Sequence, residues 1–202
     1  MKNHFLFLII TFVFTACETD PTAKFKSIST TQNITADSLA LRPNLGLVFY
    51  QNLPFTGTSV AHYPNGQVAE TVDYQAGKKY GAVTKWFVDG TKSYAAEYQI
   101  GKLHGKSYTW WRNGNQRTDS NYQNGVAEGE QLQWYKSGAL FKKQRLVAGK
   151  EVGLQQSWRA NGKIYNNYEA RNGRIFGLKR ANLCYELDNE VVQYSDDLPA
   201  GQ

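Results

Sequence analysis

Histidine occurs three times and cysteine twice in the 202 residues. That scarcity removes most metal and thiol chemistry at the outset. No Cys/His set has zinc-ligand spacing, and neither a nucleophile elbow nor a phosphate-binding glycine loop is present. Methionine occurs once, while Trp, Tyr and Phe together make up 14% of the chain. This balance is foreign both to a Leu/Met-rich helical bundle and to a disordered segment. Between Pro64 and Pro199 there is no proline, so nothing in that stretch interrupts a strand ladder. Lys and Arg leave a net charge of +6, but they are spread along the chain without a run, which argues against nucleic-acid binding. These absences predict a protein that is not an enzyme, holds no cofactor or metal and binds no nucleic acid.

The longest apolar stretch is short as well. Residues 5–14 (FLFLIITFVF) follow Lys2, and a membrane-spanning helix needs about 20 apolar residues, so the segment predicts a secretory signal. It runs into Phe14-Thr15-Ala16-Cys17, which resembles the lipobox of bacterial lipoproteins with Phe14 in place of the usual Leu. On that resemblance residues 1–17 are the signal and Cys17 is the lipid-attachment residue. Cleavage near Ala16 to give a free secreted protein is the alternative. With Cys17 lipidated, Cys184 has no intramolecular partner and reads as a small buried apolar residue. Residues 18–44 are rich in Thr, Ser, Ala and Asn without a sustained apolar pattern, predicting a flexible tether. Within it, Asn33-Ile34-Thr35 matches the glycosylation acceptor triplet.

From Gly57 onward the sequence copies itself every 24 residues. Gly57, Gly81, Gly105, Gly129, Gly153 and Gly177 form one series. Gly66, Gly90, Gly114, Gly138 and Gly162 form a second, and Gly77, Gly101, Gly125, Gly149 and Gly173 a third. A fixed period of this size predicts tandem supersecondary units, here five of them over 57–176. His62, Trp86, Trp110, Trp134 and Trp158 share one column, and Tyr63, Phe87, Trp111, Tyr135 and Arg159 the next. Asn65-Gly66, Asp89-Gly90, Asn113-Gly114 and Asn161-Gly162 are dipeptides suited to a type I′ turn between two strands. The third glycine series then marks the reverse turn into the following unit. A two-residue turn at Asn113-Gly114 sets Trp111 opposite Gln116 and Trp110 opposite Arg117. The predicted fold is all-β: an elongated, single-layer antiparallel meander of tandem hairpins. Residues 45–56 form capping strands at its start, and residues 177–202 a cap and tail at its end.

The unit, best seen in Gly101-Lys102-Leu103-His104-Gly105 followed by Trp110-Trp111 and Asn113-Gly114, resembles the MORN repeat in its variant form. Bacterial variants of this kind are grouped as YwqK-type antitoxin proteins. The resemblance spans residues 44–177. It implies a hairpin meander and a role in protein–protein contact or association with a membrane surface.

Candidate side chains follow from the columns. His62 stands where other units hold Trp and reads as a cap on an aromatic stack. His104 shares a column with Tyr80, Glu128, Val152 and Phe176, too varied for a repeated ligand. Asp73, Glu97 and Glu169 alternate with Asn121 and Arg145 and read as a solvated polar row. The aromatics Trp86, Phe87, Trp110, Trp111, Trp134, Tyr135 and Trp158 are packing ladders in the simplest reading. In the functional reading one of them is a binding surface for a protein, or for an envelope glycan. Trp110 and Trp111, being adjacent, are expected on opposite faces. Lys78, Lys102, Lys150 and Arg174 lie on turns along one edge, where they aid solubility or meet anionic head groups. The whole reads as an envelope lipoprotein with a protein partner, anchored to the membrane through its lipid. An antitoxin or immunity-type protein is the remaining alternative.

Overall fold

Strand-forming runs between glycine turns do fold as hairpins. The structure, a computed structural model, describes residues 33–178. The predicted signal, Cys17, the first part of the predicted tether, Cys184 and most of the predicted C-terminal cap lie outside the described residues. An opening group comprises β1 (Asn33–Thr35), β2 (Ala40–Arg42), β3 (Leu47–Tyr50) and β4 (Leu53–Pro54). The repeats follow as β5 (Gly57–His62), β6 (Val68–Gln75), β7 (Lys78–Trp86), β8 (Lys92–Gln99), β9 (Lys102–Trp110) and β10 (Gln116–Gln123). They continue as β11 (Val126–Ala127), β12 (Gly129–Trp134), β13 (Leu140–Val147), β14 (Lys150–Glu151), β15 (Gly153–Trp158), β16 (Ile164–Arg171) and β17 (Arg174–Leu178). Consecutive repeat strands pair antiparallel in one 14-stranded sheet, and β1 adds to its first edge in parallel, along β5. Neighbouring strands lie about 4.8 Å apart, so each two-strand unit advances the sheet by roughly 9.6 Å.

The expected tether reaches too far. Asn33–Thr35 pairs with Thr58, Ser59 and Val60, and Ala40–Arg42 joins β3 and β4 in a separate three-stranded sheet. That small sheet, whose β3 and β4 were expected as the opening cap, is fixed to the first repeat through the Ala76–Gly77 turn. Val48 donates its N–H to the Gly77 carbonyl at 2.9 Å, and the Gly77 N–H bonds the Phe55 carbonyl at 2.8 Å. Phe49 and Phe55 are buried there, and the Phe55 ring lies 5.7 Å from that of Tyr74.

Both turn families fall where expected, but type I′ geometry lies in the other family from the one predicted to have it. Type I′ geometry, with positive φ at both central residues, belongs to the third glycine series. Ala76 and Gly77 have φ of +49° and +77°, and Ile100 and Gly101 have +50° and +77°. The Asn-Gly sites are three-residue loops instead. Trp111 and Asn115 close the loop through a 2.8 Å bond, Gly114 N–H bonds the Trp111 carbonyl at 2.9 Å, and only Gly114 has positive φ. This is a type I turn followed by a left-handed glycine. The residue before that glycine is chosen for its side-chain acceptor: Asn65, Asp89, Asn113, Ser137 and Asn161 each take the backbone N–H two residues on. A hydroxyl serves as well as an amide, which explains Ser137. The register moves accordingly. Trp110 lies opposite Gln116, and Arg117 is the extra residue of a bulge.

The first glycine series lies in strands, opposite the Tyr column in the first three units and opposite Leu146 and Ala170 in the last two. Gly57 faces Tyr74, Gly81 faces Tyr98 and Gly105 faces Tyr122 in the strand register. At Gly105, with φ +84°, a Cβ would sit 2.7 Å from the Glu97 carboxylate. A central row of cross-strand pairs is the most deeply buried part of the array. It runs Ser59–Val72, Val83–Ala96, Ser107–Ser120, Gln131–Gln144 and Gln155–Tyr168. Val83 and Gln155 are each 1% exposed. Burial of a side chain such as Val83 contributes roughly 1.5–3 kcal/mol.

Tyr168 closes this row with a pH signature. Its hydroxyl donates to both Glu151 carboxylate oxygens, at 2.9 and 3.0 Å. Burial, then the Glu151 carboxylate, pushes its phenol up to about 12. A folded value above the ordinary 10 means the contribution is whole below pH 10 and is lost as pH rises toward 12. Tyr168→Phe should therefore show a shallower fall in stability between pH 10 and 12 than the wild type, read by urea unfolding at stepped pH. Identical slopes would contradict the assignment.

Candidate functional site

The two aromatic columns have separate jobs. In the second column the polar tips reach across to the next unit. The Tyr63 hydroxyl donates to the Trp86 carbonyl at 2.7 Å, the Trp111 indole N–H to the Trp134 carbonyl at 3.1 Å, and the Tyr135 hydroxyl to the Trp158 carbonyl at 2.9 Å. Each rung joins one hairpin loop to its neighbour and fixes the backbone of a first-column Trp. The bulge residue packs beside the rung: the Arg117 guanidinium lies 4.6 Å over the Trp111 ring, and the rings of Tyr135 and Phe141 are 5.0 Å apart. Asn113 and Asn115 add bonds to the Lys136 carbonyl, both at 2.9 Å, and Arg112 pairs with Asp89 at 3.0 Å. The loop edge is thereby tied from unit to unit.

Phe87 is the gap in this series, because its ring carries no donor for the Trp110 carbonyl. Phe87→Tyr supplies one. A neutral hydrogen bond nets about 1 kcal/mol, so the substitution should raise the melting temperature by roughly 2–4 °C. An unchanged melting temperature would show that the rungs carry no stability.

The first column forms a ladder across the sheet. Trp86, Trp110, Trp134 and Trp158 stand opposite Lys92, Gln116, Leu140 and Ile164. All four Trp are half-buried. Trp110 shares a face with Tyr108, ring centres 5.9 Å apart, and Lys92 Nζ lies 5.7 Å from its ring. Trp110 and Trp111 therefore turn to different neighbours, and the first column is the one that supplies no rungs. Among the described residues, the indole N–H groups of these four Trp bond no protein acceptor, in contrast to that of Trp111. His62 stands exposed at the head of the ladder, opposite Val68.

The other candidates have structural placements. Asp73 accepts from the Thr58 hydroxyl at 2.7 Å and from the Ala82 N–H at 3.1 Å, while Glu169 pairs with Arg171 at 2.8 Å. Their carboxylates are bound to the backbone bulge and to side chains rather than to one another. His104 belongs to a column that faces the type I′ turn of the next unit. In that column Thr56 accepts from the Ala76 N–H and Glu128 from the Ala148 N–H. His104 Nδ1 is buried and unpartnered. No group of three or more His, Cys, Asp or Glu suited to a metal occurs among the described residues. Lys78, Lys102, Lys150 and Arg174 are exposed along the type I′ edge, beside Ile100, Val126, Val147 and Ile175.

The sequence reading passed over Gln131 and Gln155. Gln131 Nε2 bonds the carbonyls of Asn121 and Glu128 at 3.0 and 3.1 Å; Gln155 Nε2 bonds those of Arg145, Val152 and Gly153 at 3.0–3.2 Å. These amides satisfy carbonyls freed by the bulges. The only sequence signal is their place in the column of Ser59, Val83 and Ser107. No family model matches the chain, and no curated protein matches it.

Proposed function

We propose that the protein is a bacterial cell-envelope lipoprotein, lipidated at Cys17, whose MORN-like array is a non-enzymatic scaffold for protein–protein contact. The observation that carries this reading is the Trp ladder: four large aromatics at a constant interval, half-exposed, three of them (Trp86, Trp134 and Trp158) on backbones held by rungs from the neighbouring column. Rigid aromatic anchors with open N–H donors are the usual energetic centres of protein interfaces. The exposed cations on the type I′ edge supply a second contact, toward anionic head groups beside the anchor. An envelope glycan is the second reading, favoured by the pairing of an amide, Gln116, with Trp110, since ring and amide together suit a sugar.

The test is metabolic lipid labelling followed by crosslinking in native membranes. The expected result is label on the wild type, none on Cys17→Ser, and one crosslinked protein partner. Cytosolic recovery without label, together with capture of a soluble toxin, would support the antitoxin or immunity reading instead. Capture of polysaccharide alone would favour the glycan.

A further inference from the structure

Asparagine stands directly before glycine at Asn65, Asn113, Asn124, Asn161 and Asn172. Such pairs are chemically labile, because glycine has no side chain to shield its nitrogen from the neighbouring carboxamide. The hydrogen bonds sort the five. In the three-residue loops, Asn65, Asn113 and Asn161 are held on both sides of the reacting bond. Their Oδ1 atoms accept the N–H two residues on. The N–H groups of Gly66, Gly114 and Gly162 bond the carbonyls of Tyr63, Trp111 and Arg159 at 2.8–2.9 Å. Asn124 and Asn172 instead open type I′ turns, with φ of +53° and +52°. In that family the glycine N–H bonds the preceding unit: Gly77, Gly101, Gly125 and Gly149 reach the carbonyls of Phe55, Lys79, Leu103 and Ala127 at 2.8–3.0 Å. The same spacing sets Gly173 against Glu151, yet the Gly173 N–H has no such bond among the described residues. The room differs as well. The Lys102 side chain lies 3.7 Å from a Cβ placed on Gly125, and nothing lies within 4 Å of one on Gly173. Asn172, Gly173 and Arg174 are all exposed.

We infer that Asn172 is a site of spontaneous deamidation, selected over the other four by the free N–H of Gly173. The Gly173 nitrogen gives its proton to solvent and attacks Cγ of Asn172. A C–N bond forms, and the carboxamide nitrogen leaves as ammonia. Water then opens the cyclic imide at one or other carbonyl, giving aspartate or isoaspartate. The net change is one water gained and one ammonia lost, with no oxidant or cofactor. Either product sets a carboxylate beside Arg174 on the edge that carries Lys78, Lys102 and Lys150, and takes one unit from the net charge of +6. Isoaspartate also routes the main chain through Cβ, which a two-residue turn with positive φ at both centres does not accommodate. The β16–β17 hairpin then loosens while the earlier units stay folded, since each unit rests only on its neighbours. The site is independent of the Trp ladder and of any partner.

The test is incubation of the full protein at mildly alkaline pH, with each Asn-Gly pair followed by mass spectrometry of chymotryptic peptides. Asn172 is expected to convert about 5-fold faster than Asn124, the effect of one neutral hydrogen bond on the opening of the turn. It should convert faster still than Asn65, Asn113 and Asn161. In urea, where these bonds are gone, all five are expected to convert within about twofold of one another. Hydrogen exchange of the converted protein is expected to rise in β16 and β17 alone. Conversion of any of the other four as fast as Asn172 in the folded protein overturns the inference. So does a lead for Asn172 that persists in urea, which would place its cause in the local sequence rather than in the hydrogen bonding. Unchanged exchange in β16 and β17 after conversion overturns the loosening of the hairpin.

Discussion

Gly77→Ala is expected to cost about 3 kcal/mol, whereas Gly101→Ala costs only about 1 kcal/mol. The two glycines share a turn type and the same φ of +77°, so backbone strain is common to both. Their surroundings differ. A Cβ on Gly77 would meet the Val48 carbonyl at 2.8 Å and the Val48 nitrogen at 3.2 Å, while nothing lies within 4 Å of one on Gly101. The clash is with backbone that itself bonds Gly77, so relief requires the small N-terminal sheet to move off the first repeat. Urea unfolding of the two variants reads the difference. Equal losses would mean that residues 40–55 do not rest on the Ala76–Gly77 turn as described.

Trp110→Ala and Trp134→Ala are each expected to reduce partner capture by at least about 30-fold, the effect of losing a 2 kcal/mol anchor at the centre of an interface. Together they should lower it beyond about 100-fold. Trp111→Phe is the matched control. It removes the rung to the Trp134 carbonyl and should cost about 1 kcal/mol of stability while leaving capture within twofold. A reversal, with Trp111→Phe abolishing capture and Trp110→Ala sparing it, would exchange the roles given to the two columns. Hydrogen exchange across the central row separates loss of binding from loss of fold.

Within the repeats the 24-residue period carried the fold class, the strand pairing order and the position of the turns, because glycine at fixed intervals leaves a hairpin meander few alternatives. It did not carry the turn types. Asn113-Gly114 has the composition of a type I′ turn, yet the Asn is there for its side-chain acceptor, and the geometry lies at Ile100-Gly101 and its counterparts. Ile100 and Ala76 are poor residues for positive φ, and the twist of the flanking strands imposes it on them. The one-residue bulge at Arg117 followed from that exchange, and with it the register of Trp110. The ordered segment before residue 44 was hidden for another reason. Three residues, Asn33–Thr35, pair in parallel with β5, too short a run to show a period of its own. The ladder residues themselves were visible as columns, but their division into rungs and open anchors depends on which indole or phenol finds a carbonyl, and no spacing encodes that.

The most direct test of the central claim is a photo-crosslinking amino acid placed, one position at a time, at 86, 110 and 134 on the ladder and at 98 and 122 in the Tyr column, in native membranes. The account predicts one protein partner crosslinked from 86, 110 and 134 and none from 98 or 122. Crosslinks only from 98 and 122, or no protein adduct from any of the five positions, would contradict it.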